Sequence, residues 1–145
     1  MGLDMYLTAE RFMWTEDDSP KQEQLEKIFE QTQYPADTVS FKVGYWRKAN
    51  AIHQWFVKNV QDGKDNCEQH SVSDEKLQDL LTVVNQAIKT EHKSDILPTQ
   101  EGFFFGSTNY DEGYDDDLKK TKEIIEKYLA WSMKSDCELY YRSSW

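Results

Sequence analysis

The stretch Thr38-Val39-Ser40-Phe41-Lys42-Val43-Gly44-Tyr45, continuing as Trp46-Arg47-Lys48-Ala49-Asn50-Ala51-Ile52-His53-Gln54-Trp55-Phe56-Val57-Lys58-Asn59-Val60, changes its apolar period halfway. Val39, Phe41, Val43 and Tyr45 alternate with Thr38, Ser40, Lys42 and Gly44, the two-residue period of a strand with one dry face. From residue 46 the spacing lengthens. Ala49, Ile52, Phe56 and Val60 then fall on one helical face, with Trp46, His53 and Val57 along its edge, so a helix is predicted over 46–60. A strand feeding directly into an amphipathic helix predicts helices packed on a sheet.

Working outward, residues 4–14 alternate loosely and are rich in Met, Leu, Phe, Tyr and Trp, which suggests a first strand. Ser19-Pro20 reads as a helix start, with Leu25, Ile28 and Phe29 at helical spacing over 20–32. Residues 61–72 are polar and contain Asp62-Gly63, a loop signal. Ser73 is a good N-cap, with Asp74 and Glu75 in the first turn of a helix that buries Leu77, Leu80, Leu81, Val84 and Ile88. An irregular stretch from about 90 to 110 includes Gly102-Phe103-Phe104-Phe105-Gly106. A fourth helix over about 114–132 aligns Leu118, Ile124, Ile125, Tyr128 and Leu129. Glu138 to Arg142 reads as a closing strand. Three strands and four helices without βαβ regularity predict an α+β fold with a small antiparallel sheet.

The 145 residues suit one globular domain spanning 1–145. Five Trp, eight Tyr and seven Phe supply apolar area for its core. The net charge of −10 opposes non-specific attraction to nucleic acid or anionic lipid. No apolar run approaches the roughly 20 residues of a membrane helix, and no basic start precedes an apolar stretch. Cys67 and Cys137 form no CxxC pair and are read as free thiols in a reducing compartment.

Several words of the sequence resemble a family of small, uncharacterised bacteriophage and prophage proteins. They are Met1-Gly2-Leu3-Asp4-Met5-Tyr6-Leu7, Tyr45-Trp46-Arg47-Lys48-Ala49-Asn50-Ala51-Ile52-His53 with Trp55-Phe56-Val57, and Leu97-Pro98-Thr99-Gln100. Gly102-Phe103-Phe104-Phe105-Gly106-Ser107-Thr108, Tyr110-Asp111-Glu112 and Tyr141-Arg142-Ser143-Ser144-Trp145 complete the set. The resemblance covers nearly the whole chain. It brings no catalytic residues, and it implies action in the host cytoplasm, with a host protein as the expected partner.

From Thr38 to Gln61 there is no acid, yet Lys42, Arg47, Lys48 and Lys58 are present in a chain with 27 acids. On a helix starting near Trp46, Arg47 and Lys48 sit in the first turn, where the dipole disfavours cations. Two readings stay open for this island. Tyr45, Trp46, Arg47, Asn50, His53, Phe104 and Asp117 converge on a small anionic, nucleotide-like ligand; or Arg47 and His53 are paired internally, Asp117 being the carboxylate that faces the buried side of its helix. Asp111, Glu112, Asp115 and Asp116 gather at a helix start, as acids ordinarily do. Together with Trp55 they form a candidate partner surface, acidic and aromatic.

No metal site, cofactor or catalytic residue is assigned. Cys67 and His70 have a ligand-like gap without a second pair. GxSxG, GxxxxGK[ST] and deaminase signatures are absent. Together with the net charge and the absence of these motifs, the resemblance implies an accessory protein that binds and inhibits a host defence protein, with no membrane and no direct nucleic-acid contact. The alternative is a small-ligand module, or a nucleotide-modifying enzyme, centred on Arg47 and His53.

Overall fold

Leu3, Met5, Leu7 and Ala9 are fully buried, while Asp4, Tyr6, Thr8 and Glu10 between them keep partial exposure. That alternation gives the first strand one dry face, suited to the middle of a sheet. The computed structural model describes residues 2–145, and in it this strand, β1 (Asp4–Phe12), pairs antiparallel on both flanks. β2 (Thr38–Arg47) lies on one side and β4 (Glu138–Ser144) on the other. The two-residue β3 (His70–Ser71) then pairs with β4, so the order is β2-β1-β4-β3. The fold is α+β with four strands where the sequence pattern predicts three. β3 has no period of its own; it exists because His70 and Ser71 meet Tyr141 and Tyr140.

Five helices complete the chain: α1 (Ser19–Ile28), α2 (Asn50–Asn59), α3 (Asp74–Lys89), the single turn α4 (Lys93–Ile96) and α5 (Glu112–Leu129). Ser73 caps α3 as expected, its Oγ accepting the Lys76 amide at 3.2 Å. One core cluster joins the inner sheet face to α2, α3 and α5 through Ile52, Phe56, Leu77, Leu80, Val84, Leu118 and Ile125. Phe56 of α2 lies flat on Tyr141 of β4, with ring centroids 3.9 Å apart. Ile88 does not join this core: it is exposed at the end of α3, and the smaller Ala87 is buried instead. Among the described residues no helix is long and apolar enough to cross a membrane.

The boundary between β2 and α2 differs from the periodic reading. β2 runs on through Trp46 and Arg47, because Met5 and Asp4 pair with them, and α2 begins only at Asn50. Sheet pairing outweighs a helical pattern that starts equally well four residues later. Arg47 and Lys48 therefore never face the helix dipole from its first turn. Strand alternation also breaks: Leu7 pairs with Gly44 and Thr8 with Lys42, leaving Val43 as a bulge. Beyond the bulge the faces exchange, so Gly44 and Trp46 point inward and Tyr45 outward.

Gly44 sits where α5 presses on the sheet. A Cβ there would lie 2.8 Å from Ile124 Cγ2 and 3.3 Å from the Trp46 ring. Only glycine permits this approach. Trp46 in turn donates its indole N–H to Thr121 Oγ1 at 2.9 Å, and Thr121 passes its own proton to the Asp117 carbonyl at 2.6 Å. Gly44→Ala should therefore destabilise the protein by about 1–3 kcal/mol in urea unfolding. Ile124→Ala, which removes the struck Cγ2, should cost less in the Gly44→Ala chain than on its own; additive losses would show that the two sites do not touch.

Candidate functional site

Charged residues face a concavity where the β2–α2 turn, the loop of residues 97–110 and the start of α5 meet. Arg47, Lys48 and Asn50 come from the turn, Thr99, Ser107 and Asn109 from the loop, and Asp111 and Asp117 from α5. They line a cavity of ≈ 290 Å³.

Asn50 builds its wall. The side chain is buried, and its Nδ2 donates to the carbonyls of Phe105 (3.0 Å) and Ser107 (2.8 Å), while Oδ1 accepts the Gln100 amide at 3.0 Å. Every hydrogen-bonding group that orients this carboxamide is thus spent on the loop backbone. Asn50 is a clamp, not a ligand group. Gly106 completes the fit with φ of 88°, and its missing Cβ would come within 3.0 Å of Lys48 Cβ.

The charged residues of the cavity are arranged differently. Lys48 holds a left-handed backbone with φ of 58°, fixed by its amide donating to the Leu3 carbonyl at 2.7 Å and its carbonyl accepting the Asn50 amide at 2.9 Å. Arg47 and Lys48 are exposed, and neither takes part in any ion pair among the described residues. Asp117 likewise has no ion pair, so the expected Arg47–Asp117 contact does not form although both line one cavity. Burial pushes the Asp117 carboxyl up to about 6; Lys120, on the next turn, pulls against this, and Asp116 and Asp111 add to it.

The other predicted ligand residues lie elsewhere. His53 is fully buried and makes no contact with Asp117. Its Nε2 meets Asp65 Oδ1 at 3.0 Å and its Nδ1 meets the Tyr141 hydroxyl at 2.7 Å. A neutral ring satisfies both: Nε2–H donates to the carboxylate and Nδ1 accepts from the phenol. Burial pushes the imidazole below its usual value, with Asp65 opposing. Trp145, the terminal residue, joins this chain by donating its indole N–H to Asp65 Oδ1 at 3.2 Å. Trp46 is in the core. Tyr45 stands on the outer sheet face and donates to Asp4 Oδ1 at 2.5 Å. Phe104 is half-buried in the loop, its carbonyl accepting the Leu3 amide at 3.2 Å.

The expected partner surface loses its aromatic member, because Trp55 is buried, its ring edge against Phe56. Trp55 turns inward because it stands three residues from Ile52, on the same buried side of α2. Asp111 caps α5 by accepting the Tyr114 amide at 3.2 Å, Asp115 pairs with Lys93, and Asp116 approaches Lys119 at 3.8 Å; Glu112 is exposed. Phe103, Phe104 and Phe105 form a turn in which only Phe105 is buried and Phe103 is 94% exposed. Sequence reasoning missed Ser107, Asn109 and Thr99, which carry no periodic signal, and left Lys48 outside the site.

No family model matches the chain, and neither a curated protein nor a solved structure does.

Two pH dependences follow with opposite signs. Asp117 is raised from 3.8 to about 6, so its ionisation opposes folding fully above pH 6 and not at all below pH 3.8. Asp117→Asn should stabilise the protein at pH 7 by on the order of 2 kcal/mol. The gain should fade as the pH falls toward 4, as read from urea midpoints. His53, held below 6.5, acts the other way: the unfolded chain takes the proton first as pH falls. Stability should decline from about pH 6.5 downward, and His53→Gln should flatten that decline.

Proposed function

We propose that this protein works by binding a basic protein surface through the excursion between β1 and β2. The observation that carries this reading is α1, which buries none of its residues. Around it Trp14, Ile28, Phe29 and Tyr34 expose 75%, 69%, 70% and 71% of their surfaces. Four large apolar side chains left in water on one excursion are the kind of surface that marks a partner site.

The excursion is held at its neck and not along its length. Arg11 pairs with the buried Asp18 at 2.7 Å, and Gln22 Nε2 donates to the carbonyls of Met13 (3.2 Å) and Ala36 (2.8 Å). Residues 14–37 carry seven acids against two lysines, a net −5, half of the −10 of the chain. Apolar anchors inside an acidic rim complement a partner with an apolar pocket ringed by Lys or Arg. The acidic and aromatic surface expected from the sequence is thereby relocated from Trp55 and the start of α5 to α1. Given the phage-like words of the sequence, the partner is a host protein that the contact disables.

Affinity capture from bacterial lysate at low salt, followed by calorimetry with the purified partner, tests the reading. The partner should be basic at the contact, and binding should weaken as salt rises. The double substitution Ile28→Ser, Phe29→Ser should cost roughly tenfold or more in affinity. Its thermal midpoint should match the parent chain, since α1 contributes nothing to the core. Capture of no partner, undiminished binding by the double variant, or indifference to salt would each refute it.

A further inference from the structure

The cavity between the β2–α2 turn and α5 is separate from the α1 excursion, and its argument does not depend on the docking reading. Opposite charges that share a cavity ordinarily close on each other. Here Arg47, Lys48 and Asp117 all line the cavity, and among the described residues no ion pair joins them. The backbone around them is tied down: the Lys48 amide donates to Leu3, and the Asn50 carboxamide holds the loop at Phe105 and Ser107.

Two more features bear on what fits between the walls. Ala49, the N-cap of α2, supplies no side-chain hydrogen bond, and Ala51 and Ile52 of the first turn line the same cavity as the two cations. An uncapped helix start next to two free cations suits a phosphate. The Asp117 carboxylate of the same cavity accepts no hydrogen bond among the described residues, which suits an amine or hydroxyl donor. A volume of ≈ 290 Å³ lies just below the range of about 300–1,000 Å³ for drug-sized ligand sites, the size of one nucleotide and not of a polymer.

The geometry points to a binding site for a small phosphate monoester with a hydrogen-bond-donating far end, of the nucleoside monophosphate class, held by Arg47 and Lys48 at its phosphate and by Asp117 at its donor. Burial of the Asp117 carboxyl agrees with this, since a group that opposes folding when ionised gains most from a donor that it can accept.

Titration calorimetry of the full chain at low salt, with adenosine monophosphate, adenosine and inorganic phosphate as probes, tests the assignment. The monophosphate should bind at least roughly tenfold more tightly than either fragment. Arg47→Ala should lower its affinity to the level of adenosine, and Asp117→Ala to that of inorganic phosphate. Lys48→Gly separates binding from folding: it removes a cation and relieves the left-handed backbone, so affinity should fall while the thermal midpoint holds or rises. Monophosphate binding no tighter than phosphate alone, or undiminished in both alanine variants, would overturn the site.

Discussion

The β2–α2 corner depends on one carboxamide. Asn50 is buried, and two carbonyls and one amide from a loop with little regular structure converge on it. A loop buried against a protein must have its backbone groups satisfied, and no sheet or helix does this for residues 99–110. Asn50 supplies both donor and acceptor from one planar group. Leaving those partners unpaired would cost on the order of 1–3 kcal/mol each. The position of this loop against the β2–α2 turn follows from that single side chain.

Two aspartates show how differently the protein treats buried charge. Asp18 is almost fully buried, yet the Thr15 amide and hydroxyl, then Arg11 and Lys21, hold its carboxyl below the usual value. It is a satisfied structural anion that fastens the neck of the α1 excursion. Asp117 is less buried but has no such partners, and burial raises it. The contrast lies in hydrogen bonding and not in depth. His53 represents a third solution, in which a neutral imidazole between a phenol and a carboxylate links α2, β4, the 61–69 loop and the chain's last residue without a net buried cation.

The two surfaces have opposite characters. The α1 excursion is acidic, apolar and exposed, and contributes little to the core; the cavity is cationic on one wall and embedded among the elements that do. Substitutions in the first therefore separate binding from folding cleanly, whereas the second needs variants such as those at exposed Arg47 and Lys48.

Local sequence signals determined the α+β class, the strand over 38–45, the Ser73 cap and most of the helical core, because alternation, helical spacing and capping are local properties. The acid-free island was legible too, and Arg47, Asn50 and Asp117 do meet in one cavity. Tertiary structure decided the rest. Pairing with Met5 and Asp4 drew Trp46 and Arg47 into β2, and packing of α2 on the sheet buried Trp55 and set His53 against Tyr141. The bulge at Val43 exchanged the faces of Gly44 and Tyr45, and a two-residue strand formed solely because β4 presented an edge. Whether Arg47 would pair with Asp117 could not be read from spacing, since the turn and loop beside them are tied together by contacts from Leu3, Gln100 and Ser107, far apart in the chain and adjacent only once it has folded.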